Sequence, residues 1–262
     1  VTYEVYAIRY ATRAARRAEH FIGGDPHDAP MPMDYFLWAI VRGSRAVVVD
    51  TGFTAEVAAK RGREHLRCPV AALGLLGLHP AEVEDVVLTH LHYDHVGNFG
   101  AFPRARFHLR EPELHYATGR YMRHRTLARS FEVEDVVGIV RMNFAGRVVF
   151  HDGVVEPWLG IRLHPAGGHS AGQQFVSVRT GRGTVVLASD VAHFHENMES
   201  GRPFTTAFHV GEMLEGFDRL RAVADSPDHI IPGHDPLVMR RYPPPRPELD
   251  GIVARLDVPP RD

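Results

Sequence analysis

Short apolar runs, each closed by a turn containing glycine, proline or arginine, dominate the pattern of this chain. Residues 5–8, 35–41 and 46–49 are dense in Val, Ile, Tyr, Phe and Trp and read as strands. The last two flank Arg42-Gly43-Ser44-Arg45, a span short enough for a hairpin. Val86-Val87-Leu88-Thr89 and residues 106–109 extend this first set. A second set follows at 147–150, 153–156, 160–163, 174–178 and 184–188, and Ile230-Ile231-Pro232 adds a last short run. Helices fall between and after. Thr54 suits an N-cap for a helix through about Arg67, with Glu56 in its first turn. Residues 70–76 read as an apolar helix ending near Gly77, and 111–116 and 132–142 as further helices. Met213, Leu214, Phe217, Leu220 and Val223 make an apolar stripe at helical spacing over 211–223. Two strand sets with helices around them predict an α/β (α+β) fold, an αββα sandwich of two mixed β-sheets flanked by helices.

Two stretches break the pattern. Residues 20–33 hold Gly23-Gly24, Pro26, Pro30 and Pro32, too many breakers for a regular element. Tyr242-Pro243-Pro244-Pro245 opens a Pro-rich C-terminal tail, from about residue 243, expected to lie along the surface. The 262 residues, 44% of them apolar, suffice for one large core, so 1–262 reads as a single domain.

Composition then removes several function classes. A formal charge of −2 and a pI near 6.9 give no global field for nucleic acid or an acidic membrane. Lys60 is the only lysine. Arg13, Arg16 and Arg17, and Arg120, Arg123, Arg125 and Arg129, form local clusters that read as solvated helix faces. With Cys68 alone, neither an intrachain disulfide nor a cysteine zinc cluster is available. No run approaches the ~18 apolar residues of a membrane span, and no basic and apolar leader opens the chain. These features predict a soluble, cytoplasmic protein, monomer or homodimer.

The candidate chemistry lies in His90-Leu-His92-Tyr-Asp94-His95, directly after the run ending at Thr89. Neutral imidazole and carboxylate suit zinc and its first-row neighbours. His90 and His92 share one side of an extended segment. A turn at Tyr93 and Asp94 would aim Asp94 and His95 at a second point, so one loop would serve two metals. Gly167-Gly168-His169-Ser170, Ser189-Asp190 and Pro232-Gly233-His234-Asp235 each bring a further ligand type in a turn beside an apolar run.

In that order, HxHxDH, GHS, SD and PGHD resemble the motifs of the metallo-β-lactamase superfamily of di-metal hydrolases, over about Tyr35 to His234. The resemblance implies the metallo-β-lactamase fold and two Zn2+ ions, with Mn, Fe or Co also suited to such ligands. It implies His90, His92 and His169 on the first metal and Asp94, His95 and His234 on the second. Asp190 and a hydroxide would bridge them, about 3.5 Å apart. Asp50, in Val47-Val48-Val49-Asp50-Thr51-Gly52, matches an acid that orients a ligand from outside the coordination sphere.

Within the superfamily, Leu88-Thr89-His90-Leu91-His92-Tyr93-Asp94-His95-Val96-Gly97-Asn98 is most similar to the motif of N-acyl-homoserine lactonases. Ala72-Leu73-Gly74-Leu75-Leu76-Gly77-Leu78 resembles a segment of their relatives. The implied activity is opening of a lactone ring by the metal-bridging hydroxide, with Asp94, Asp190 and His193 as catalytic groups. His193 stands where those lactonases carry a Tyr, three residues after the bridging Asp. Tyr93, Phe21, Met31 and Met33 are the expected apolar wall for a small-molecule substrate with an acyl part. Two alternatives share the fold: a thioester hydrolase of the hydroxyacylglutathione hydrolase type, and a mono-iron sulfur dioxygenase.

Overall fold

The apolar runs become the strands of two facing sheets in the computed structural model, which describes residues 1–261. The strands are β1 Glu4–Arg13, β2 Met33–Arg42, β3 Arg45–Val49, β4 Glu64–His65, β5 Asp85–Val87, β6 Arg106–Arg110 and β7 Val148–His151, followed by β8 Val155–Trp158, β9 Ile161–Pro165, β10 Gln174–Thr180, β11 Gly183–Ser189, β12 Ile230–Pro232 and β13 Val253–Arg255. One sheet runs β13-β1-β2-β3-β5-β6-β7 with β4 on β1, and the other runs β12-β11-β10-β9-β8. Both are mixed: β3, β5, β6 and β7 are mutually parallel, as are β11 and β12, and the other pairs are antiparallel.

The strand period of two sorts side chains into layers. Phe36, Trp38 and Ile40 of β2 pack with Leu163, Val176, Val178 and Leu187, closing the space between the sheets. Leu37 and Ala39 face the other way, in a cluster with Leu114, Val136 and Ile139 from the helices Glu111–Thr118 and Val133–Phe144. On the far side, Phe175, Val186 and Ala188 pack with Phe217 and Leu220 of the helix Val210–Val223. The result is the αββα sandwich that the strand and helix pattern predicts.

Two segments differ from the sequence-based expectation. The helix capped by Thr54 spans only Ala55–Arg61, because Gly62 adopts φ 63° and turns the chain. Glu64 and His65 then pair with Thr12 and Ala11 of β1. The Pro-rich tail is also more than a surface ribbon. Tyr242 and Leu249 are buried, and β13 adds an antiparallel edge to β1. Among the described residues no helix is long and apolar enough to cross a membrane.

One buried acid on this scaffold has a pH signature. Asp135, in the first turn of the helix Val133–Phe144, has a buried Oδ2 without a hydrogen-bond partner. Burial, then the nearby Glu132, pushes its carboxyl up to about 6. Since the folded value exceeds the unfolded one, the cost is absent at pH 4 and grows as pH rises to 6. Asp135→Asn is therefore expected to raise the melting temperature at pH 8 and leave it nearly unchanged at pH 4. Equal shifts in thermal melts at the two pH values would contradict this.

Candidate metal centre

Every motif read from the sequence ends at one edge of the sandwich. Parallel strands deliver several of them, since β3 leads into Asp50, β5 into the His90 loop, β11 into Asp190 and β12 into His234. Asp50 and Ser189 both have positive φ, 62° and 47°, a costly backbone for residues other than glycine. Each is fully buried at the point where its strand turns into the site. Gly233 is required by close approach: a Cβ there would lie 2.6 Å from the Ser189 carbonyl and 2.8 Å from Asp190 Oδ1. At Gly168 a positive φ of 84° and the Met213 backbone nitrogen, 2.5 Å from a built Cβ, exclude any side chain.

The carboxylate of Asp190 stands at the centre. Its Oδ1 lies 3.3 Å from His95 Nε2 and 3.0 Å from His234 Nε2. Its Oδ2 lies 3.9 Å from His90 Nε2, 3.2 Å from His169 Nε2 and 3.0 Å from His193 Nε2. Asp94 approaches His95 and His234 at 3.8 and 3.7 Å, and His92 Nδ1 is 2.9 Å from His169 Nε2. The two oxygens of one carboxylate thus face two separate groups, His90/His92/His169 and Asp94/His95/His234, each with ligand atoms mutually within 4.8 Å.

This arrangement fits metal ions. Ligands about 2.0–2.1 Å from a tetrahedral zinc lie roughly 3.3 Å apart, the scale of these separations. His90 Nε2, His95 Nε2 and Asp190 Oδ1 are buried and, although close to other polar atoms, have no partner in hydrogen-bonding geometry. Atoms that converge without pairing are what a shared cation satisfies.

Neighbouring groups hold the ligand rings from behind. Asp50 Oδ2 bonds His95 Nδ1 at 2.7 Å, and both its oxygens accept from Thr89. The Nδ1 atoms of His169 and His234 meet the carbonyls of Thr206 and Asp34 at 2.8 and 2.9 Å. Glu113, which the sequence reading did not single out, is fully buried and clamps two motifs together. It accepts from the Leu91 backbone between His90 and His92, from Ser170 Oγ beside His169, and from the Gly172 backbone. On the sequence it is one more acid in the first turn of a helix, with no visible partner.

Electrostatics divides the ligands. Burial, then neighbouring imidazoles, holds His90 and His92 well below the usual histidine range, in the neutral form a metal needs. Burial opposes charge on His95 and His234 too, but the carboxylates outweigh it, Asp190 foremost, and raise both. Burial pushes the Asp190 carboxyl up, but the surrounding imidazoles outweigh it and hold the group well below the usual carboxylate range.

A cavity of about 540 Å³ opens over this floor. Tyr93, Met33 and His193 line it, together with Tyr35 and Phe204. Phe21 and Met31 do not. Phe21 is fully buried with the guanidiniums of Arg17 and Arg202 over its ring, and Met31 packs against the Met33, Phe194, Phe204 and Met213 cluster. Arg13, Arg61, Arg63 and Arg129 take part of the wall instead. Arg13 and Arg129 belong to clusters that the sequence pattern predicts as solvated helix faces, and the structure places both at the cavity.

Strand-end imidazoles and carboxylates on an αββα sandwich form adjoining groups suited to metal ions. Comparison with known proteins gives the chain a family. The model of the metallo-beta-lactamase superfamily matches residues 34–234, and the chain belongs to that superfamily. The N-acyl homoserine lactonase AttM of Azorhizobium caulinodans is 29% identical over 242 residues, 81% of this chain and 85% of the relative. The N-acyl homoserine lactonase AiiA of Bacillus thuringiensis subsp. kurstaki is 29% identical over 170 residues, 63% of this chain and 61% of that protein. The crystal structure of a quorum-quenching N-acyl homoserine lactone lactonase shares the fold with a TM-score of 0.75 at 22% identity, covering 90% of this chain and 93% of that one. Family and relatives make the chain an enzyme of the hydrolase class.

Elemental analysis of the purified protein is expected to give two zinc ions per chain. Asp190→Asn, which removes the central charge, should lower metal occupancy sharply, and Glu113→Gln should weaken metal affinity about 10–100-fold without touching a ligand. Full occupancy in Asp190→Asn would count against the bridging arrangement, and one iron per chain would point to a mono-iron dioxygenase.

Proposed function

We propose that this chain is a di-zinc lactone hydrolase, with N-acyl-homoserine lactones as the leading substrate class. The observation that carries the reading is the Asp190 carboxylate with one oxygen toward each ligand group, below an open cavity. The relatives named N-acyl homoserine lactonases support the substrate class.

His90, His92 and His169 would hold one ion, Asp94, His95 and His234 the other, and Asp190 both. When bound, the ions supply a Lewis acid for a carbonyl oxygen and water acidified toward a pKa of about 7. Hydrolysis adds hydroxide to the lactone carbonyl carbon and breaks the ring C–O bond. The ring oxygen takes the proton and leaves as an alcohol. Asp190, buried and in contact with both ligand groups, is the residue placed to pass that proton on.

His193 is the candidate for the carbonyl oxygen. Its ring stacks on Phe204, with centroids 3.6 Å apart and planes 8° from parallel, which fixes its orientation. Burial pushes the imidazole down to about 3, so it is neutral at working pH and has one N–H to donate. Nε2 faces Asp190 at 3.0 Å, on the floor of the cavity where a carbonyl would meet the ions. A preorganised donor to a developing oxyanion contributes roughly 10²–10³ in turnover.

The reading is tested by a hydrolysis screen of the zinc-loaded protein against lactones, thioesters, phosphodiesters and β-lactams. Ring opening of N-acyl-homoserine lactones is expected; turnover of a glutathione thioester with no lactone opened would overturn it. His193→Ala should lower turnover about 10²–10³-fold with both metals retained. An unchanged rate would return His193 to a packing role.

A further inference from the structure

We infer that the substrate carries a carboxylate on the arm away from the reacting carbonyl, received by an arginine wall around Arg63. This rests on the lactone-hydrolase reading and narrows its substrate class.

Four guanidinium side chains line the cavity, and apart from the ligands Asp94 and Asp190 its one acid is Glu19. Their partners divide them. Arg61 is engaged: it pairs with Glu132 at 2.7 Å, donates to the Arg129 and Phe131 carbonyls, and stacks 3.9 Å over the Tyr93 ring. Arg13 reaches Glu19 at 3.2 Å, yet its buried Nε has no partner.

Arg63 keeps a free donor beside the floor. It is half-buried, donating from Nε to Tyr93 Oη at 3.1 Å and from Nη1 to the Arg61 carbonyl at 2.8 Å. Among the described residues no carboxylate lies within 4.0 Å of it, and its Nη2 makes no hydrogen bond. Arg129 likewise forms no ion pair or side-chain hydrogen bond among the described residues, and it lies on the exposed rim. Other half-buried arginines without an ion pair, Arg147 and Arg182, spend their N–H groups on backbone carbonyls away from any cavity over the candidate metal site, whereas Arg63 keeps Nη2 free at the cavity wall.

The free Nη2 of Arg63 can donate to a carboxylate, and a guanidinium binds an ionised acid more strongly than a neutral acceptor. Arg63 is also placed for recognition beside the reaction. Its partner Tyr93 lies between the ligands His92 and Asp94, so an anion on Arg63 belongs to a molecule already over the floor. A plain alkyl arm would meet these charges and leave them unpaired.

The test compares two homoserine lactones with acyl arms of equal length, one ending in methyl and one in carboxylate, on the zinc-loaded enzyme. We expect kcat/KM to favour the carboxylate arm by about tenfold or more, with the preference falling as salt is added. Arg63→Met and Arg129→Met should each cut that ratio several-fold with metal content intact, and Arg63→Lys should restore part of it. A ratio of one or below, or a ratio unmoved by both Met variants, overturns the inference. If neither lactone opens, the lactonase reading fails on its own, and calorimetry with the two ring-opened acids decides the present point. Tighter binding of the carboxylate-armed acid, lost in Arg63→Met, upholds it; equal affinities overturn it.

Discussion

The arrangement of this site depends on the Asp190 carboxylate, fully withdrawn from water and surrounded by five imidazoles. Burial of such a group is unfavourable by several kcal/mol unless opposite charge or donors surround it. Here the carboxylate and the rings compensate one another only in part, because several of the closest approaches are not hydrogen bonds. The scaffold holds polar atoms in a geometry that suits a cation better than it suits the protein alone. That mismatch is maintained by the sheets, whose apolar layers on both faces fix the strand ends.

The four ligand-bearing segments are far apart in sequence, and two buried acids join three of them, while His234 is held by the Asp34 carbonyl. Asp50 ties His95 to Thr89, and Thr89 Oγ1 in turn meets His90 Nδ1 and Ser189 Oγ. Glu113 ties the Leu91 backbone to Ser170 and Gly172. Neither acid belongs to the two candidate ligand groups; Asp50 holds the His95 ring and the Thr89 amide, and Glu113 orders the backbone from which ligands project. The strained φ angles at Asp50 and Ser189 belong to the same economy of form, since a relaxed strand would carry the following residue past the edge.

How much of this was legible follows from what each feature needs. Strands and ligand loops were readable because both signals are local: period-two apolar runs, and histidines in turns beside them. Glu113 was not, since a first-turn glutamate ordinarily serves the helix dipole and its partners lie 22 to 59 residues away. The edge strand β13 was hidden by its length, three residues after a Pro-rich stretch. The helix expected through Arg67 could have been shortened from Gly62 alone, and that error had a consequence. The turn at Gly62 is what brings Arg63 to the cavity wall.

Floor and wall are therefore set by different parts of the chain, under different constraints. The floor comes from strand ends, where an error in one ligand disturbs all of them, so its motifs are those of the superfamily. The wall comes from the end of β1, the turn after the first helix, and the segment at residues 129–130, which meets the metal loop through the Ser130 carbonyl and the Tyr93 backbone amide. Motif resemblance accordingly bears on the class of reaction, while the proposal about what the reacting molecule carries rests on the charges of Arg13, Arg63 and Arg129.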